Sequence, residues 1–394
     1  MLSSATMRRN PLRDRLLAVL SVVILLPTVA HSQERSLKEA VGERFKLGVG
    51  VGHGVLQNAA DVALIGEHFQ ILTPENAMKP QGIHPAENEW NFGPTDRFVE
   101  VARAQKLEVV GHCLVWAKDD RTDEWMMKEG DQPVSRSTLL RRIETHVNTV
   151  VERYADVVTM WDVVNEAIGD SDSNGLLRDS VYWRTTGMEF IVTAFKAARA
   201  KDPDALLIYN DYNGHKPEKR KKLLEFLRQL DEKGVPVDAY GMQGHFELGD
   251  DSLSQLRETF DELRKLGLKV VVSELDIDVV TRGRWWADGG KYREELAKHD
   301  PYKDGLSEEL HAQLSKEYVA LFQLFTDYSD IIERVSFWNL HDGQSWLNYF
   351  PWKRVNHPLL FDRMRQTKPS FDAVHTFLKT GAVPGQDENS RSTP

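Results

Sequence analysis

Glu166 and Glu274 are the residues whose settings suggest chemistry. Glu166 closes the stretch Trp161-Asp162-Val163-Val164-Asn165-Glu166-Ala167. Glu274 sits inside Lys269-Val270-Val271-Val272-Ser273-Glu274-Leu275-Asp276-Ile277. Both stretches share one grammar: an apolar, β-branched run, then a glutamate, then polar residues. Such a run reads as a buried strand, with the glutamate where the strand opens onto a loop. In a barrel of parallel strands, that end carries the catalytic groups. One such glutamate alone reads equally well as a salt-bridged strand end. Two of them, far apart in sequence, suggest a carboxylate pair of the kind that cleaves glycosides. One carboxyl protonates the leaving oxygen and the other faces the anomeric carbon.

The rest of the chain must hold these two residues on one face. Strand-like segments are read at 46–51, 69–73, 107–112, 157–164, 205–210, 239–245, 269–277 and 335–340. Helical segments fall between and around them at 36–44, 59–68, 94–105, 137–154, 181–202, 217–233, 252–266, 308–328 and 370–380. Alternation on this scale implies an α/β fold with a parallel sheet, and eight units imply a closed (β/α)8 TIM barrel. Glu166 then ends the fourth strand and Glu274 the seventh, on opposite sides of the barrel mouth. No repeat or linker divides the chain, so residues 33–380 read as a single domain. Gly48-Val49-Gly50-Val51-Gly52 lacks the spacing of a phosphate-binding loop and fits a closely packed inner strand.

Composition narrows the function classes. The chain has 394 residues, 41% of them hydrophobic, and a net charge of −10 with both signs interspersed. That argues against nucleic acid or an anionic membrane as partner. Ten tryptophans serve core packing and, at a site, stacking on sugar faces. The single cysteine, Cys113, permits no intrachain disulfide and reads as a small buried hydrophobe. No His/Cys cluster has zinc spacing and no loop has the EF-hand pattern, so neither metal nor cofactor is expected. Residues 1–32 have the form of an export signal. Arg8, Arg9, Arg13 and Arg15 precede an apolar run of 11 residues, Leu16 to Leu26, too short to span a bilayer. Ala30-His31-Ser32 supplies small residues at the cleavage point. A soluble, exported monomer, secreted or periplasmic, is the expectation. Residues 283–306, with Trp285 and Trp286, form a long excursion, read either as a functional loop or as a solvated insertion with two packed tryptophans. Residues 381–394 are polar and expected to be disordered.

The two glutamate motifs resemble those of family 10 glycoside hydrolases, the endo-β-1,4-xylanase family. Further motifs of that family follow in order. They are Thr73-Pro74-Glu75-Asn76-Ala77-Met78-Lys79, Gly111-His112-Cys113-Leu114-Val115-Trp116, Asn210-Asp211-Tyr212-Asn213, Gly241-Met242-Gln243-Gly244-His245 and the segment Trp338 to Trp346. The resemblance runs from about Leu37 to Leu378. It implies xylan as substrate, Glu166 as acid/base, Glu274 as nucleophile and retention of configuration. It also implies that His245, held by Asp276, supports the nucleophile and that Asn165 holds the sugar 2-hydroxyl. Glu75, Asn76 and Lys79 would bind the distal glycone xylose, and His112 and Gln243 would make further polar contacts. Trp116, Trp338 and Trp346 would wall the glycone subsites and Tyr212 would stack on the aglycone side. For the reaction, Glu166 must stay protonated, favoured by burial and an ionised Glu274, while Glu274 must stay ionised. Two departures stand out. Ala117-Lys118-Asp119 replaces the usual His-Ser-Gln, and Pro80 stands where a Trp usually follows the lysine. Asp119, Asp120 and Arg121 could rebuild that wall with charges. The alternatives are a related retaining enzyme for cellulose or mannan, and a barrel that binds polysaccharide without cleaving it.

Overall fold

The computed structural model describes residues 35–170 and 175–383. The export signal expected at 1–32 and the tail beyond Val383 lie outside these residues. Eight strands form the barrel. They are β1 (Lys46–Val51), β2 (Ile71–Pro74), β3 (Glu108–Trp116), β4 (Val158–Asn165), β5 (Leu206–Asp211), β6 (Ala239–Met242), β7 (Lys269–Asp278) and β8 (Ile332–Trp338). Each pairs in parallel with its sequence neighbour, and β8 pairs with β1, which closes the ring.

The interior is built in layers, because residues two apart on a strand share a face. Ile71, Val110, Met160, Ile208, Ala239 and Val271 form an apolar plug of their own. Two residues further along the same strands stand Thr73, His112, Asp162, Asn210, Gly241 and Ser273. Apart from the glycine this next layer is polar, and it is buried. The sequence thus switches from plug to chemistry within one strand step. Above it the pairing slips between His112 and Val115, between Asp162 and Val164, and between Val272 and Leu275. Such irregularities re-aim side chains and gather beside active sites.

The helices wrap this ring by ordinary amphipathic logic. In Arg136–Tyr154 the buried Leu139, Ile143, Val147, Val150 and Tyr154 recur at helical spacing. The Ser135 hydroxyl caps the helix by accepting from the Thr138 N–H. Two expected elements are interrupted. The helix anticipated at 181–202 is two, Val181–Thr186 and Glu189–Lys201, parted by Gly187 at φ 60°. The strand anticipated at 239–245 stops at Met242, and Gly244 at φ 85° separates it from a short strand, His245–Glu247, paired with the end of β7. The glycine-rich start is a packed inner strand as expected. A Cβ on Gly50 would lie 2.6 Å from the Trp338 ring.

The two tryptophans of the 283–306 excursion differ in exposure. Trp285 stacks on Trp352 with centroids 5.1 Å apart, whereas Trp286 is 55% exposed. The Trp352 indole N–H donates to the His299 carbonyl at 2.9 Å, and Arg282 pairs with Asp278 at 2.9 Å, which ties the excursion to β7.

Candidate active site

Glu166 follows the last residue of β4 with φ 57°, a left-handed conformation uncommon for a residue with a side chain. Such a conformation costs on the order of 1–3 kcal/mol and persists only where the surroundings impose it. Here the Glu166 N–H donates to the Asn210 carbonyl at 2.9 Å, and its own carbonyl accepts from Arg178 Nε at 3.0 Å. The side chain is thereby turned into the barrel mouth. Oε1 accepts from Gln243 Nε2 at 3.0 Å, and Lys118 Nζ stands 3.7 Å from Oε2.

Glu274 lies within the irregular stretch of β7, its N–H donating to the Gln243 carbonyl at 2.7 Å. Gln243 therefore touches both glutamates. Oε1 of Glu274 accepts from Asn210 Nδ2 at 2.9 Å, and His245 Nε2 lies 3.3 Å from Oε2. His245 Nδ1 is 3.0 Å from Asp276 Oδ1, and Asp276 Oδ2 accepts from the Trp346 indole N–H at 2.7 Å. Burial alone would push Glu274 toward its neutral form. The His245 hydrogen bond, the charges of His112 and His245 and the Asn210 amide outweigh it and hold the carboxyl down at about 2. Burial likewise opposes charge on His245, but Asp276 and Glu274 win and raise it to about 9. His245 is thus an imidazolium at neutral pH, donating from both ring nitrogens.

The remaining expected residues gather around this pair. Lys79 Nζ is 3.2 Å from Asn76 Oδ1 and stands 4.7 Å over the Trp116 ring and 6.0 Å from that of Trp338. His112 meets Trp338 edge to face at 5.4 Å, with its Nδ1 2.8 Å from Asp162 Oδ2, which fixes the ring. Burial pushes the Glu75 carboxyl upward, against the pull of Lys79 and the Asn339 amide. Asn165 Oδ1 accepts from Asn210 Nδ2 at 2.9 Å. On the other flank the Tyr212 hydroxyl donates to Asp170 at 2.6 Å and accepts from Arg178 at 2.6 Å. The buried Lys219 ammonium lies 3.6 Å from the Tyr212 ring centre, so one face of that ring is already covered. Among the described residues no group of His, Cys, Asp and Glu could hold a metal ion.

The sequence profile of glycosyl hydrolase family 10 matches residues 36–377. The chain belongs to glycosyl hydrolase family 10. It is 36% identical to endo-1,4-beta-xylanase B of Paenibacillus barcinonensis, over 85% of this chain and 96% of that one. It is 34% identical to a thermostable celloxylanase of Thermoclostridium stercorarium, over 91% of this chain and 93% of that one. The crystal structure of xylanase XynB from Paenibacillus barcinonensis, complexed with a conduramine derivative, superposes with TM-score 0.78 at 35% identity, covering 86% of this chain and 98% of that one.

Against the family 10 pattern, the departures now have structural settings. Pro80 opens the short helix Pro80–Ile83 directly after Lys79. Ala117 is buried. Asp119 turns away from the cleft, accepting from the Val181 N–H at 2.6 Å and pairing with Arg184. Of the three charged residues that could rebuild the wall, Arg121 lies 5.2 Å over the Trp116 ring, with Asp120 3.6 Å from it. Five residues that the sequence reading did not single out as site residues also belong here. Asn210 bridges Asn165 and Glu274, and Ser273 donates to its Oδ1 at 2.6 Å. Asn339 links Glu75 at 3.3 Å to the Trp346 N–H at 2.8 Å. Arg178 ties Tyr212 to the Glu166 backbone, and Lys118 reaches the Glu166 carboxyl. The signals for Asn210 were its place at the head of the Asn210-Asp211-Tyr212-Asn213 motif and its polar side chain on an inward strand position.

Proposed function

We propose that this family 10 enzyme is an exported, retaining endo-β-1,4-xylanase. The observation that carries the reading is the unequal environment of the two strand-end glutamates. Glu274 is buried yet held ionised by His245 and Asn210. Glu166 is aimed into the same mouth by its left-handed backbone and Gln243. In the first step the Glu274 carboxylate attacks the anomeric carbon while Glu166 gives its proton to the departing glycosidic oxygen. A covalent glycosyl-enzyme results. In the second step Glu166, now a base, takes a proton from water, whose oxygen displaces Glu274 with net retention. The names of the relatives support xylan as substrate, and the one called a celloxylanase makes cellulose the substrate to test against it.

Reducing-sugar release from xylan, carboxymethylcellulose and mannan tests the substrate, with xylan expected to dominate. Azide tests the roles. Glu166→Ala on a substrate with a good leaving group should accumulate the glycosyl-enzyme, which azide releases as the β-glycosyl azide. Glu274→Ala should yield only the α-azide, by direct attack. General acid/base catalysis contributes roughly 10²–10⁴-fold, so Glu166→Ala should lose at least that much on xylan. The opposite pairing of anomers would reverse the two roles.

A further inference from the structure

Trp346 does not end the aromatic surface of the cleft. Phe350 stacks on it with centroids 5.1 Å apart and ring planes 25° apart. Trp286, from the 283–306 excursion, lies against Phe350 at 5.9 Å. The row begins beside the nucleophile, since Trp346 donates to Asp276 and sits 4.9 Å from the His245 ring. It then becomes progressively wetter. Trp346 is partly buried, Phe350 is 41% exposed, Trp286 is 55% exposed, and Tyr349, next to Phe350, is 69% exposed. Contiguous exposed aromatics are unusual on a soluble surface and mark a binding face. The excursion is also built to present Trp286. It packs Trp285 onto Trp352, ties Trp352 to the His299 carbonyl, and leaves the next ring outside.

We propose that Phe350 and Trp286 form a remote platform for the polysaccharide chain, a neutral β-1,4-linked glycan, beyond the sugars held at the carboxylate pair. The inference rests on the glycanase reading above. Continuity with the cleft selects this occupant. A glycan threaded past Trp346 meets the next ring without leaving the surface. An uncharged chain also suffers no repulsion from a protein of net charge −10. Aromatic faces cover the C–H faces of the sugars while their hydroxyls stay in water, so the platform adds affinity without touching the reacting bond.

The test compares long and short substrates in Trp286→Ala, a change at an exposed ring far from the reacting atoms. KM on soluble long-chain xylan should rise roughly two- to tenfold, the value of one aromatic contact. On xylotriose, kcat/KM should stay within about twofold. Trp286→Phe should keep most of the long-chain affinity. An equal effect on both substrates, or none on the polymer, would overturn the proposal. So would a shift in sedimentation with unchanged xylan kinetics, because the face would then be covered by a second copy of the chain. Loss of the glycanase reading would show differently, as absence of xylan cleavage by the unmodified enzyme.

Discussion

At the scale of residues, the site depends on keeping one buried carboxyl charged. Burial works against Glu274, and the His245 hydrogen bond is the largest of the effects that oppose it. His245→Asn removes the imidazolium but keeps a polar side chain. The acid limb of kcat/KM should then move up by about one to two pH units, because a lost opposite charge within a few ångströms shifts a carboxyl by that order. A limb that stays in place would leave Asn210 as the main support. Lys118, where the family pattern has a serine, stands with its ammonium 3.7 Å from the Glu166 carboxyl. The catalytic candidates were legible because each sits in a strand-then-polar pattern that local sequence displays. Asn210, Asn339 and Lys118 were not, since their partners come from segments far apart in the chain that no single stretch encodes.

At the scale of elements, strand alternation made the barrel legible and glycine conformation did not. Eight strands could be read because plug residues such as Val110 and Val271 recur in β-branched runs. The breaks at Gly187 and Gly244 could not, because a glycine takes positive φ only where neighbouring elements demand it. Gly50 shows the reverse dependence. It is a glycine because Trp338 occupies the space where a side chain would go. Gly50→Ala should destabilise the fold by about 1–3 kcal/mol, the usual penalty of overpacking a tight core. It should also displace Trp338 and raise KM on xylan more than it lowers kcat. Gly54→Ala is the control, with no atom within 4 Å of the added carbon and φ −61°. Equal melting temperatures for the two variants would show that Trp338 can move aside.

At the scale of the whole molecule, the first and last described helices of the domain close on each other. The helix Leu37–Val41 buries Leu37, Ala40 and Val41 and packs against the C-terminal helix Pro369–Thr380. Arg35 pairs with Asp372, the Ser36 hydroxyl donates to the Glu67 carbonyl at 2.7 Å, and Arg44 donates to the Leu378 carbonyl at 2.6 Å. Among the described residues these contacts reach back to Arg35. We propose that a peptidase cuts just before it, after the small residues Ala30-His31-Ser32, and that the exported enzyme starts near Gln33. Such a cut spares every contact just named. A chain begun at Gly42 instead removes Leu37 and Val41 from the core, at roughly 1.5–3 kcal/mol for each large apolar side chain. N-terminal sequencing of secreted enzyme should read from near Gln33, and calorimetry should find that chain clearly more stable than one starting at Gly42. Secreted protein retaining Met1 would sink the cleavage assignment. Equal stability of the two truncations would sink the role given to the terminal helix pair.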